Sequence, residues 1–187
     1  MAHQSEKHKM LTGQLYRSSD ELLCRERRHA RKSLKTFNDT SPDELDKRSI
    51  ILQELFGKLG QRAVIEPPFF CDYGYNIHIG DNFYANFNCV VLDCAEVTIG
   101  DNVFLGPGVQ IYTATHPLVA EERNTGLEAA KPIELGDGVW IGGGAIINPG
   151  LTIGRGTTIG SGSVVTKNIP PNVFAAGNPC KVMRHLG

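Results

Sequence analysis

A chain of 187 residues with a formal net charge of −1 has room for one ordinary domain and a small appendage, and lacks the basic excess of a nucleic-acid surface. No stretch approaches the ~18 consecutive apolar residues of a membrane helix, and the start, MAHQSEKHKM, is too polar for a secretory leader. The five cysteines are odd in number and form no CxxC pair, so neither a disulfide framework nor a metal site is expected, and a reducing, cytoplasmic compartment is.

Residues 1–60 read as a helical cap. Ser18-Ser19-Asp20-Glu21 has a serine three residues before a glutamate, the spacing of a capping box, and predicts a helix over about 19–37. The basic run Arg25–Lys35 falls on that helix and reads as a solvated face. Ser41-Pro42-Asp43-Glu44 repeats the spacing and adds a proline at the expected first helical position. Leu45, Leu52, Leu55, Phe56 and Leu59 give this second helix one apolar side, and Gly57 and Gly60 mark its end.

From about residue 61 the texture turns to β-branched residues, glycine, asparagine and aspartate, and a six-residue register takes over. Positions 99, 105, 111, 135, 141, 147, 153, 159 and 165 are all aliphatic, and glycine follows six of these nine. The register survives the gap between 111 and 135. A weaker set, Ile79, Ala85 and Val91, runs two residues out of phase. Fixed-period self-similarity marks a repeat architecture. A short strand plus a tight turn uses about six residues, and three such sides close a triangular coil that stacks on the next at the ~4.8 Å strand spacing. One aliphatic side chain per side then points to the axis. An antiparallel sandwich would not place nine aliphatic residues in one register. The fold class expected is mainly β: a parallel β-helix over 61–187, with the helical cap before it, a C-terminal tail after it and an excursion loop at 117–132.

Several stretches go further than the repeat: GQLYRSSDELL (13–23), EPPFFCDYGYNIHIGDNFYANFNCVVLD (66–93), IYTATHP (111–117), VWIGGGAIINPG (139–150), VVTKNIPPN (164–172) and GNPCKVMR (177–184). Through them the chain resembles the maltose and galactoside O-acetyltransferases, which are hexapeptide-repeat acyltransferases, and CDYGYN and IYTATHP lean to the maltose side. The resemblance, and not the periodicity, implies a left-handed coil, acetyl-CoA as co-substrate, a small sugar such as maltose or glucose as acceptor, and a homotrimer with sites between neighbouring prisms. One departure concerns the acceptor. The galactoside branch tends to carry two adjacent acids after the YANFN strand, where this chain has Asp93-Cys94.

His116 is the expected general base. Acetyl transfer to an alcohol removes the hydroxyl proton as the oxygen attacks, and an imidazole suits that role near neutral pH. It stands where the repeat opens into the long excursion, and long loops in compact folds are often functional. Asn86 is expected to donate to the developing oxyanion or to orient the acceptor, and would otherwise be a turn residue. Tyr84 is expected on the acceptor side, or else as plain packing. Asp72 and Asp93 are candidates to accept hydrogen bonds from sugar hydroxyls, or else to cap turns. Ser18 and Arg27 match the family's acceptor side, although Ser18 equally reads as a helix cap and Arg27 as a surface charge.

The coenzyme is expected along the later coils. The resemblance implies that the Gly143 amide meets the thioester carbonyl and that Ser161, Thr166 and Lys167 follow the coenzyme groove, while Trp140, the only tryptophan, is read as flanking the pantetheine arm or else covering the prism. Lys181 and Arg184 would supply charge for its phosphates. No nucleophile elbow is present, since Gly160-Ser161-Gly162-Ser163 is a repeat turn, so direct attack in a ternary complex is expected. The alternatives are an acetyltransferase for another acceptor, such as serine or a xenobiotic, and a non-enzymatic β-solenoid. A zinc β-helix carbonic anhydrase would need three histidines per site, and only His78 and His116 lie between 61 and 180.

Overall fold

The computed structural model of the chain describes residues 4–187. Three helices open it. In α1 (Glu6–Leu11) the Ser5 side chain accepts the His8 N–H at 3.2 Å. The helix α2 (Glu21–Asn38) is capped by Asp20, whose carboxylate accepts from Leu22 and Leu23 at 3.0 and 3.3 Å. Ser18 is therefore not the cap, and its side chain is left for another use. The helix α3 (Leu45–Leu55) starts later than the proline spacing predicts, because Pro42 and Asp43 form a turn. Half of the expected capping box survives there, with the Glu44 carboxylate accepting the Ser41 N–H at 2.8 Å.

Behind the cap the chain winds through three faces of parallel strands. The first face is Lys58–Leu59, Ile77–Ile79, Val97–Ile99, Ile133–Leu135 and Thr152–Ile153. The second is Val64–Ile65, Tyr84–Ala85, Phe104–Leu105, Trp140–Ile141, Thr158–Ile159 and Val173–Ala176, closed by the antiparallel strand Lys181–His185. The third is Phe69–Cys71, Cys89–Leu92, Gln110–Tyr112, Ile146–Ile147 and Val164–Val165. The expected parallel β-helix is thus what the sequence forms. Its first strand, Lys58–Leu59, precedes the expected boundary at residue 60.

All nine in-register aliphatic residues are buried. They stack coil on coil: Ile99, Leu135 and Ile153; Leu105, Ile141 and Ile159; Ile111, Ile147 and Val165. Burying each contributes roughly 1.5–3 kcal/mol before the entropy of ordering the chain. Ile79, Ala85 and Val91 join the same columns, aligned with Ile99, Leu105 and Ile111. Their offset in the sequence has a structural cause. These early coils repeat at twenty residues and the later ones at eighteen, as Ile79↔Ile99 and Leu135↔Ile153 show.

The surplus residues all fall at one corner, between the third face and the first. There Cys71 leads to Ile79 and Val91 to Ile99 through eight positions instead of six. One coil later the whole excursion leaves from the same corner. The excursion is not a structureless loop. It holds a short helix, α4 (Ala120–Arg123), and a strand, Leu127–Ala130, that lies between Ala114–Thr115 and Tyr16–Arg17 of the cap.

Candidate active site

That three-stranded antiparallel patch builds one side of a cavity of about 230 Å³ over the swollen corner. Its walls come from three segments: Ser18, Arg27 and Arg31 of the cap, Asp72 and Cys94 of two coils, and His116 and Glu128 of the excursion. Pairing Tyr16 with Glu128 and Thr115 with Ala129 puts the cap, the histidine and the glutamate side by side.

His116 is more than half exposed, and its Nε2 lies 3.7 Å from Oε2 of the much less exposed Glu128. The other Glu128 oxygen accepts a short hydrogen bond from the Tyr16 hydroxyl. Tyr16 is wholly buried, and burial pushes its hydroxyl far above the ordinary tyrosine range, so it remains a donor. A carboxylate fixed in this way can orient the imidazole.

Arg27 is not a surface charge. Its guanidinium donates to the Tyr73 hydroxyl and to the Ser18 carbonyl, both at 2.6 Å, and so ties the cap to the prism. Asp72 faces the cavity, and burial raises its carboxyl above the usual range while the nearby Arg27 and Arg31 act the other way. Asp93 requires a correction. It is fully buried and does not line the cavity, and its two oxygens accept the backbone N–H groups of Asp72, Tyr73 and Gly74 at 3.0, 2.8 and 2.7 Å. Burial pushes its carboxyl up to about 7, and these amides pull against that shift.

Asn86 is not beside His116 in this chain. It lies with Tyr84 in a second groove, of about 590 Å³, together with Phe104, Pro107, Trp140, Gly143 and Ser161. The expected acceptor residue Tyr84 thus stands on the side expected to hold the coenzyme. His116 follows the strand Gln110–Tyr112 and Asn86 precedes Cys89–Leu92, so the third face of the prism separates them.

The groove floor is backbone. A Cβ on Gly106 would come within 2.5 Å of the Gly143 nitrogen, and one on Gly142 within 2.5 Å of the Ser161 nitrogen. Neither the Gly143 nor the Ser161 N–H has a hydrogen-bond acceptor among the described residues, so both can donate to a ligand. Trp140 is 55% exposed above this floor. Thr166, Lys167, Lys181 and Arg184 are exposed but lie outside the groove wall, and Arg184 pairs in register with Phe174 on the same face as Trp140.

Sequence reasoning did not single out Glu128, Arg31 or Tyr16, and noted Cys94 only as a departure beside Asp93. Glu128 sits where the six-residue register lapses, so no spacing marks it, and Tyr16 shows only as part of LYRSSDELL.

Comparison with known proteins fits this geometry. The maltose acetyltransferase hexapeptide capping motif matches residues 9–60, and the bacterial transferase hexapeptide model matches 132–167. A maltose O-acetyltransferase from Clostridium difficile 630 superposes with a TM-score of 0.98 at 53% identity, covering 98% of each chain. The chain belongs to the maltose and galactoside O-acetyltransferase family. The galactoside O-acetyltransferase of Escherichia coli K12 is 45% identical over 93% of this chain and 86% of its own length. A galactoside acetyltransferase solved in complex with coenzyme A superposes at a TM-score of 0.96 and 43% identity, covering 99% of this chain and 92% of its own. The helical cap is part of what this chain shares with the family, since the capping motif spans residues 9–60.

Proposed function

We propose that the protein transfers acetyl from acetyl-CoA to a hydroxyl of a small sugar, with maltose or glucose the expected class, by direct attack in a ternary complex. The observation that carries this reading is the cavity that joins an exposed imidazole to two carboxyl groups, a serine hydroxyl and two guanidinium groups. A polyol offers donors and acceptors to all of these, whereas a plain alcohol would leave most unpaired.

Acetyl-CoA brings the thioester. The groove along Gly143 and Ser161 accepts its arm, because the glycine floor admits a chain close to the backbone and offers two N–H donors that have no acceptor among the described residues. His116 takes the proton from the attacking hydroxyl, Glu128 steadies the imidazolium that results, and as the tetrahedral intermediate collapses the C–S bond breaks and the imidazolium returns that proton to the departing coenzyme thiolate. Negative charge growing on the thioester oxygen is met by the Gly143 N–H and the Asn86 side-chain amide. Lys181 and Arg184, with Thr166 and Lys167 nearer the last coils, carry the phosphate end.

His116 and Asn86 work on the same carbonyl only if a second copy supplies one of them. The reading therefore includes a homotrimer whose sites lie between prisms. Leu118 and Val119, 94% and 55% exposed on the excursion, support it as an arm that reaches a neighbour. The five unpaired cysteines favour a reducing, cytoplasmic setting.

The test is release of the coenzyme thiol from acetyl-CoA, followed with glucose, maltose, a methyl galactoside, serine or water as acceptor. Sugar-dependent release supports the proposal. Release that depends on serine alone, or that no acceptor stimulates, overturns it.

A further inference from the structure

We infer that Asp93 and Cys94 are a pair of positioning residues that hold Asp72 as the carboxylate recognising the acceptor. The inference rests on the acceptor reading of the His116 cavity and specifies how that cavity is set.

The pair sits where the coil is two residues longer than the ordinary hexapeptide corner, and each member grips a different part of Asp72. Asp93 turns inward. Its Oδ1 accepts the N–H of Asp72 and that of Tyr73, and its Oδ2 accepts the N–H of Gly74. Its carbonyl is fixed in turn by the Asn76 side-chain amide at 2.7 Å. A fully buried carboxyl is unfavourable unless its oxygens are satisfied, and here the satisfaction comes from three consecutive amides of one turn. That turn therefore has a single conformation. It sends the Asp72 side chain into the cavity and the Tyr73 hydroxyl to Arg27, which holds the Ser18 carbonyl.

Cys94 holds the other end. Its Sγ lies 3.5 Å from Asp72 Oδ2, and its buried thiol is kept protonated, so it donates. Asp72 Oδ1 has no hydrogen-bond donor among the described residues. One carboxylate oxygen is thus held by the thiol, and the other is left without a protein donor in a residue that lines the cavity together with His116. The ligand chemistry this suits is an acceptor with a second hydroxyl close to the one that reacts, since that hydroxyl can donate to Asp72 Oδ1 while the first gives its proton to His116.

Steady-state kinetics with glucose and acetyl-CoA test the assignment in Asp93→Asn and Cys94→Ala, each alone and combined with Asp72→Ala. An amide at 93 keeps one acceptor oxygen in place of two, so the glucose KM is expected to rise about tenfold, with the acetyl-CoA KM held within about twofold. Cys94→Ala is expected to raise the glucose KM about threefold and, as a mild truncation, carries the test if Asp93→Asn does not fold. On the Asp72→Ala background neither substitution should add to the loss. Additive losses, or equal rises in both KM values, would overturn the assignment while sugar acetylation itself stands. A protein that acetylates no sugar at all removes the acceptor reading and this inference together.

Discussion

Glu128 faces His116 across 3.7 Å and is held from behind by the hydroxyl of Tyr16, so the proposed base has a carboxylate partner anchored to the helical cap. Neither side chain of that anchor belongs to the repeat. The prism supplies a rigid frame, and the patch joining cap and excursion supplies the proposed base and its carboxylate partner.

Replacing Glu128 by glutamine keeps its volume and removes its charge. The turnover number for sugar acetylation should fall about tenfold, with the acetyl-CoA KM unchanged, as measured by initial rates at saturating acceptor. Tyr16→Phe frees one carboxylate oxygen without displacing the chain, and a smaller loss in the same assay is expected.

The coenzyme groove makes a steric prediction. Gly106→Ala brings a methyl group within 2.5 Å of the Gly143 nitrogen, so either the floor shifts or the Gly143 amide leaves its place. The acetyl-CoA KM should rise by about tenfold or more and the glucose KM much less. Trp140→Ala removes a large exposed surface from the same groove and should raise the acetyl-CoA KM with a smaller effect on thermal stability than a core truncation, because more than half of that residue is exposed.

The core columns carry stability. Ile141 is fully buried and stacked between Leu105 and Ile159. Truncation to alanine should destabilise the protein by about 2–5 kcal/mol, read from the denaturant midpoint. The same truncation at Ile50, which is exposed on α3, should change it by less than about 0.5 kcal/mol.

Asp93 gives stability a pH dependence with a defined sign. Its folded carboxyl sits at about 7, above the ordinary ~3.9 of an unfolded aspartate, so between those values the folded state holds the extra proton. Its contribution favours folding below about pH 4 and is lost as pH rises through 7. Unfolding titrations across that range should show a falling component in the unsubstituted protein that is missing in Asp93→Asn.

Much of the fold was legible because the prism core repeats. Ile99 through Val165 share one register, and a register is visible without coordinates. The site was legible only where the chemistry had a sequence context, as at His116 in YTATHP. The corner was harder to read. Two additional residues per coil appear in the sequence as a phase slip at Ile79, Ala85 and Val91, and the slip says nothing of which side chain turns inward. Asp93 was accordingly expected among the acceptor contacts, yet its carboxylate is spent on three backbone amides. The gap between Asn86 and His116 was invisible for a similar reason, since a linear pattern does not say which prism corner each residue occupies. Glu128 was missed because its position is set by an antiparallel pairing with Tyr16, more than a hundred residues away, and such pairings leave no periodic trace.

The most direct measurement is the rate of acetyl transfer to glucose by His116→Ala, compared with the unsubstituted protein at saturating acetyl-CoA, alongside the binding constant of the coenzyme for each. A general base at this position requires a fall of at least about a hundredfold in the rate with coenzyme binding preserved. A variant that acetylates glucose at the original rate would contradict the account.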